Sequence, residues 1–438
     1  MEFILIWEKY IRFLSPGLIN FEAGIFSSMT HQHLLYIIIT IISVDFVFEQ
    51  ILDFINLKSR KPGIPGEVAE FYDREKYMKS QQYHATLTRF SFYTSTASFF
   101  LSLLLLVFGG FGFIDTWLRP HFDQEIILAL VYFGVLFLAS DVLNLPFQLY
   151  STFVIEEKYG FNKTTMRTFW LDKLKGYLLS FLMGGVLVST LLYLVLEIGE
   201  GFWLYFWGIA TVFILFVNMF YTSLVLPLFN KLTPLQDGGL KTAIQAYSQK
   251  VDFPLDNIFV IDGSKRSKKA NAFFSGIGKK KKIVLYDTLI ENHTEEELVA
   301  VLAHEVGHFK KKHIVQGFVI SILQVGVMLF IMSNMIFNEN LSLALGAEQM
   351  GVHLNLIAFG ILYSPISKVL GILGNMLSRK NEFEADEYAS HTYAGAPLKD
   401  ALKKLSVDNL SNLYPHPAYV FFNYSHPPLL KRLEAIKD

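Results

Sequence analysis

Residues 304–308 read His-Glu-Val-Gly-His. On a helix, residues four apart share a face, so His304 and His308 can aim two imidazoles at one ion. Glu305 sits about 100° around the axis, close enough to reach a water beside that ion without ligating it. A zinc ion held this way lowers the pKa of water while the carboxylate takes the proton, which is the chemistry of hydrolysis. Such a site needs a third protein ligand and an open fourth position. The chain has no cysteine, which excludes disulfides, thiolate catalysis and Cys-type zinc sites together. The third ligand must then be His, Asp or Glu. In Asn381-Glu-Phe-Glu-Ala-Asp386, Glu382 and Asp386 lie four apart on one helical face and Glu384 points elsewhere. That pairing suits one carboxylate as ligand and the other as acceptor for an imidazole N–H. Spacing leaves open which acid does which.

The elements that must position these residues follow from pattern. Thr294 with Glu297 has capping-box spacing, so a helix starts there and carries the His-Glu-Val-Gly-His face. Lys310, Lys311, Lys312 and His313 form a basic end, and the helix reads as running straight into an apolar span. The 438 residues are 52% hydrophobic and only 18% charged, with mean hydropathy +0.37, against about a quarter charged in soluble domains. Seven apolar runs are long enough to cross a bilayer: 33–55, 90–113, 126–149, 176–197, 202–227, 314–337 and 350–374. The fold expected is mainly α, a polytopic membrane protein of seven helices with a small β element in its polar part. Its division is 1–227 for spans one to five, 228–313 for a protease region with the histidine helix, 314–374 for spans six and seven, and 375–438 for a second protease region with the third ligand.

Charge tests this topology. The loops after spans one, three and five and the tail after span seven hold 7, 5, 14 and 8 Lys and Arg, 34 of 38 in the chain. Such alternation puts the N-terminus outside and both polar regions in the cytosol. The N-terminus lacks the pattern of a cleavable signal peptide. A net charge of −1 gives no global field for nucleic acid. Asp45, Glu49 and Asp141 fall within spans, so they should face water or a buried partner rather than lipid. The Lys279–Lys282 run reads as a solvated or headgroup-facing patch.

These residues, together with Phe153-Val-Ile-Glu-Glu-Lys-Tyr-Gly-Phe-Asn162, Leu226-Pro-Leu-Phe-Asn-Lys-Leu-Thr-Pro-Leu235, Asp262-Gly-Ser-Lys-Arg-Ser267, Asn271-Ala-Phe-Phe and Ser425-His-Pro-Pro-Leu-Leu-Lys-Arg432, resemble the integral-membrane CAAX prenyl protease 1 family, gluzincin-type zinc metalloproteases. The resemblance implies seven tilted helices enclosing a water-filled chamber, closed by a cytosolic protease domain. It implies one Zn2+ per chain on His304, His308 and Glu382, with Asp386 behind an imidazole and Glu305 as general base. It also implies that Asn271, His426 and Arg432 hold the substrate backbone and steady the transition state. The activity implied is removal of the last three residues of a prenylated CAAX protein, in the endoplasmic reticulum membrane (or inner nuclear membrane) of a eukaryote or the cytoplasmic membrane of a bacterium. The chemistry of the residues agrees: Asn271 and a protonated His426 can donate to a developing oxyanion. The runs 257–261 and 283–286 read as strands flanking the Asn271 loop, and a free strand edge there would bind an extended peptide. Alone, His426 would be a turn residue before Pro427-Pro428, and Arg432 a partner for Glu434. A broad-specificity membrane quality-control protease and a transporter with a structural histidine site are the competing readings.

Overall fold

Within hydrocarbon a backbone must satisfy its own N–H and C=O groups, and the apolar runs accordingly form helices. The computed structural model describes residues 29–253, 258–275 and 282–437. Its membrane part consists of α1 (His31–Lys58), α2 (Arg74–Val107), α3 (Glu125–Tyr150), α4 (Met166–Leu179), α5 (Gly185–Ile198) and α6 (Phe202–Phe220). After the polar region, with α7 (Gly239–Lys250) and α8 (Glu295–Lys310), come α9 (His313–Ser333) and α10 (Val352–Thr392). The tail folds as α11 (Gly395–Asp408), α12 (Pro417–Asn423) and α13 (Leu429–Ala435).

Six continuous helical stretches among the described residues are long and apolar enough to cross a membrane. One of them, Met166–Phe229, has 64 residues and would reach about 96 Å if straight, three times a bilayer's hydrocarbon core. It doubles back instead. Gly199 adopts φ +70°, a tight turn follows over Gly199–Gly201, and α5 and α6 pack against each other. The expected spans four and five lie on either side of that turn.

Burial along α2 and α10 is concentrated at their two ends. In α10, Val352–Asn355, Ala358 and Phe359 are buried, then nothing until Glu382, Ala385, Asp386 and Ala389. The unburied stretch between Phe359 and Glu382 covers about 33 Å of helix, the thickness of the hydrocarbon core. In α2 the buried residues are Tyr77, Ser80, Gln81, Tyr83 and Ala85, and then Leu106. One apolar core, around Leu34, Tyr132, Phe202, Leu329, Ile336, Leu345 and Leu354, closes one end. A second, around Ile244, Tyr247, Phe253, Leu285, Leu298, Leu302 and Ala389, forms the protease region at the other. α2 and α10 are thus packed at both ends and not between them.

The intramembrane acids Asp45, Glu49 and Asp141 are ion-paired. Lys173 Nζ donates to Asp141 at 2.5 and 2.7 Å, and Tyr177 donates to the same carboxylate. Lys368 donates to Asp45 and, at 2.7 Å, to Glu49, tying α10 to α1. Pairing neutralises charges that would be costly beside lipid.

The β element is a four-stranded sheet, β1 (Leu232–Pro234), β2 (Ile258–Ile261), β3 (Ala272–Ser275) and β4 (Lys282–Tyr286), in the order β1-β2-β4-β3. The two strands expected from sequence pair parallel with each other and are both interior. Neither is therefore the free edge. The two edges are β1 and β3; β3, antiparallel to β4, begins immediately after Asn271 where a loop was expected. Asn257 and Lys279–Lys281 lie outside the described residues.

One further expectation needs correction. The helix carrying His304 and His308 does not run straight into the membrane: α8 ends at Lys310, and Lys312 adopts the left-handed conformation (φ 62°) before α9 starts at His313. The division expected between 374 and 375 falls inside α10, which runs unbroken over Val352–Thr392.

Candidate metal centre

The capping box forms as the sequence requires: Glu297 N donates to Thr294 Oγ1 at 3.3 Å and Thr294 N to Glu297 Oε2 at 3.0 Å. From there α8 is buried almost continuously from Leu298 to Gly307. It packs between α7, α10 and α11, with β3 alongside. Gly307 sets how closely α8 approaches α10. A Cβ there would stand 3.1 Å from Ala385 Cα and O and 3.2 Å from Tyr388 Cβ, inside ordinary carbon contact. This close crossing brings the two histidines of α8 against Glu382 of α10.

His304 Nε2 and His308 Nε2 are 3.1 Å apart; Glu382 Oε1 lies 3.3 Å from His308 Nε2, and Oε2 lies 3.5 Å from His304 Nε2. Among the described residues these three form the one group whose donor atoms converge within 4.8 Å. Donors sharing a tetrahedral ion at about 2.0–2.1 Å stand about 3.3 Å apart, so the spacing fits one metal ion. Glu382 Oε2 supports the fit. It is buried and completes no well-formed hydrogen bond, although His426 Nδ1 stands at 3.0 Å and Arg432 Nη1 at 3.3 Å.

The geometry separates the two acids that spacing could not. Asp386 Oδ1 lies 2.8 Å from His304 Nδ1 and away from the Nε2 cluster. It accepts the Nδ1 proton, fixing the tautomer that leaves Nε2 free for a metal. Arg432 donates to Asp386 with both Nε (2.8 Å) and Nη2 (2.6 Å). Its guanidinium is thus committed to the centre, while Glu434 pairs with Lys431.

Glu305 has no hydrogen-bond or ion-pair partner among the described residues. Burial raises its pKa, opposed by the charges of His304, His308 and Arg432, so it can accept a proton near neutral pH more readily than an exposed glutamate. Around the centre three carboxylates, Glu305, Glu382 and Asp386, face one guanidinium. With neutral imidazoles two negative charges remain uncompensated, the charge of a divalent cation. Burial disfavours charge on His304, yet hydrogen bonds to Asp386 and Glu382 hold its pKa up at about 9; the imidazolium supplies part of the missing positive charge.

His426, on the turn between α12 and α13, is brought beside Glu382 but remains 66% exposed at its side chain. Asn271 heads β3, where its Oδ1 accepts from Ala272 N and its carbonyl from Tyr286 N. Sequence reasoning missed His313, taken for part of a basic end, whose Nδ1 lies 3.0 Å from His308 Nδ1. Glu384 does point away from the ligand cluster, onto His313. A histidine five residues beyond the motif was the available signal.

Residues 53–231 match the family of CAAX prenyl protease N-terminal regions, described as five membrane helices, and residues 234–438 match peptidase family M48. A CAAX prenyl protease 1 homolog of Oryza sativa subsp. japonica is 35% identical over 406 residues, covering 90% of this chain and 95% of that protein. The homolog of Homo sapiens is 34% identical, covering 85% and 88%. The crystal structure of S. mikatae Ste24p superposes with a TM-score of 0.87 at 30% identity, covering 92% of this chain and 99% of that one. The chain therefore belongs to the CAAX prenyl protease 1 family, multi-pass membrane metallopeptidases within peptidase family M48.

Proposed function

We propose that this chain is a zinc-dependent membrane endopeptidase that removes the last three residues of prenylated CAAX proteins. The observation that carries the reading is the convergence of His304, His308 and Glu382 beside the unpaired carboxylate of Glu305. The relatives carry the CAAX prenyl protease name, and the substrate class follows theirs. His304, His308 and Glu382 would hold one zinc ion. When bound, zinc polarises the scissile carbonyl and acidifies water.

The chain's own residues do the rest. Glu305 takes the proton of the attacking water and returns it to the departing amine. Asp386, fastened by Arg432, keeps His304 in the tautomer that presents Nε2. His426 and Asn271 donate to the oxyanion as negative charge develops. The open edge of β3 pairs with the extended backbone of the substrate and fixes its register. Since β3 lies against α8, a strand added at its edge would lie close to the helix that carries the histidines. The basic loops favour an orientation with this centre on the cytosolic side and the N-terminus outside, and the eukaryotic relatives support the endoplasmic reticulum membrane. The donor cluster lies at an end of the bundle rather than in broken helices at mid-membrane, which speaks against a transporter.

Purified protein cleaving a prenylated CAAX peptide tests the reading. Glu305→Gln should keep about one zinc per chain and lose cleavage by at least about a hundredfold. Wild-type cleavage by Glu305→Gln, or equal cleavage of prenylated and unprenylated peptides, overturns the base or the substrate assignment respectively.

A further inference from the structure

The partners of the two imidazoles differ. Asp386 takes the Nδ1 proton of His304 directly, whereas His308 faces another histidine. His308 Nδ1 stands 3.0 Å from His313 Nδ1, and His313 Nε2 stands 3.2 Å from Glu384 Oε2. The rings of His308 and His313 meet edge to face, with centroids 5.2 Å apart. If His308 presents Nε2 to a metal, its Nδ1 carries the proton and must donate. His313 Nδ1 is then the acceptor, so its own proton sits on Nε2 and is donated to the Glu384 carboxylate. One direction of donation satisfies all four atoms, and it is the direction that leaves His308 Nε2 free.

Backbone and burial support this chain of contacts. His313 is buried, with its side chain 6% exposed, whereas Glu384 is 34% exposed. Lys380 Nζ stands 3.6 Å from the other Glu384 oxygen, Oε1. The residue immediately before His313 is Lys312 in the left-handed region, with φ 62°. A lysine there costs about 1 kcal/mol or more, and such strain persists only where the surroundings demand it. The turn over Lys311–Lys312 ends α8 and starts α9 with His313 facing back onto His308, which a continuous helix would not do.

We propose that His313 and Glu384 form a relay that positions His308 for zinc, fixing its tautomer and ring orientation as Asp386 does for His304. This rests on the reading of His308 as a metal ligand. Removing partners behind a ligand imidazole lowers metal affinity about 10- to 100-fold. The test is zinc affinity of the full chain in detergent, measured by competition with a chelator, together with the visible spectrum of the cobalt-substituted protein. His313→Phe should bind zinc 10- to 100-fold more weakly and shift the cobalt bands. Glu384→Leu should lie between it and the native protein. His313→Gln, whose amide can both accept and donate, should recover most of the affinity. Zinc affinity of His313→Phe within twofold of native, with unshifted cobalt bands, overturns the relay; should His313→Phe fail to fold, the same result for Glu384→Leu does so. His308→Ala separates the two readings. Native zinc affinity in that variant sinks the metal assignment itself, whereas its loss beside an unaffected His313→Phe sinks the relay alone.

Discussion

Gly307→Ala probes whether the α8–α10 crossing sets the metal site. The added methyl would meet Ala385 Cα and O at 3.1 Å and Tyr388 Cβ at 3.2 Å, against about 3.5–4.0 Å for comfortable carbon contact. Two of these atoms are helix backbone, so α10 must retreat by about 0.4 Å or more. Alanine in a helix interior gains about 1 kcal/mol over glycine, and overpacking costs about 1–3 kcal/mol. Stability should thus change little, falling by about 0–2 kcal/mol. Metal affinity should change more. The Glu382 oxygens now stand 3.3 and 3.5 Å from the histidine nitrogens, and metal distances tolerate only about 0.2 Å. Separating the helices should weaken zinc binding by at least about tenfold, or about 1.4 kcal/mol. Chelator competition gives the affinity and thermal unfolding of the metal-free protein gives the stability. Gly371→Ala, on the same α10 with nothing within 4 Å, is the control and should bind zinc as the native chain does. Native zinc affinity in Gly307→Ala would refute the reasoning.

Asp386→Asn keeps an acceptor for His304 but loses the charge that Arg432 grips, and should weaken zinc binding about 10- to 100-fold by chelator competition. Arg432→Met leaves the buried Asp386 and Glu382 carboxylates without their cation, and should cost the metal-free protein about 3–5 kcal/mol. Zinc should recover part of that loss, which unfolding with and without metal will show. In the metal-free protein His304 stays protonated below about pH 9, so zinc must expel that proton. Affinity should rise about tenfold per pH unit between pH 7 and 8.5 and flatten above about 9, with proton release read by calorimetry in two buffers. The same raised pKa stabilises the metal-free fold fully below about 6.5, and that stability is lost as pH rises through about 9. Because burial raises the Glu305 pKa, the acid limb of kcat/KM should lie above an ordinary glutamate's, and cleavage should fall as pH drops through it.

What could be read from the sequence was what periodicity carries. The capping box, the shared face of His304 and His308, the spacing of Glu382 and Asp386 and the apolar runs all depend on residues within a turn or a span. What stayed hidden depends on tertiary approach. Gly307 looks interchangeable with any small helix residue until α10 is laid against it. The break at Lys312 carries no glycine or proline to announce it, because lysine enters the left-handed region only under constraint from outside the turn. His313 therefore read as part of a basic run instead of as the partner of His308. The role of β3 as an open edge depends on β2 and β4 pairing with each other, which their apolar runs alone do not specify. The acids Asp45, Glu49 and Asp141 were legible as costly, and their partners Lys368 and Lys173 only in three dimensions.

The account is tested most directly by anomalous diffraction at the zinc edge from zinc-loaded crystals. It predicts one peak per chain, about 2.0–2.2 Å from His304 Nε2, His308 Nε2 and a Glu382 oxygen, with Glu305 beside it and not bound. A zinc-loaded crystal with no density among those three side chains, or with its ion held elsewhere, would contradict it.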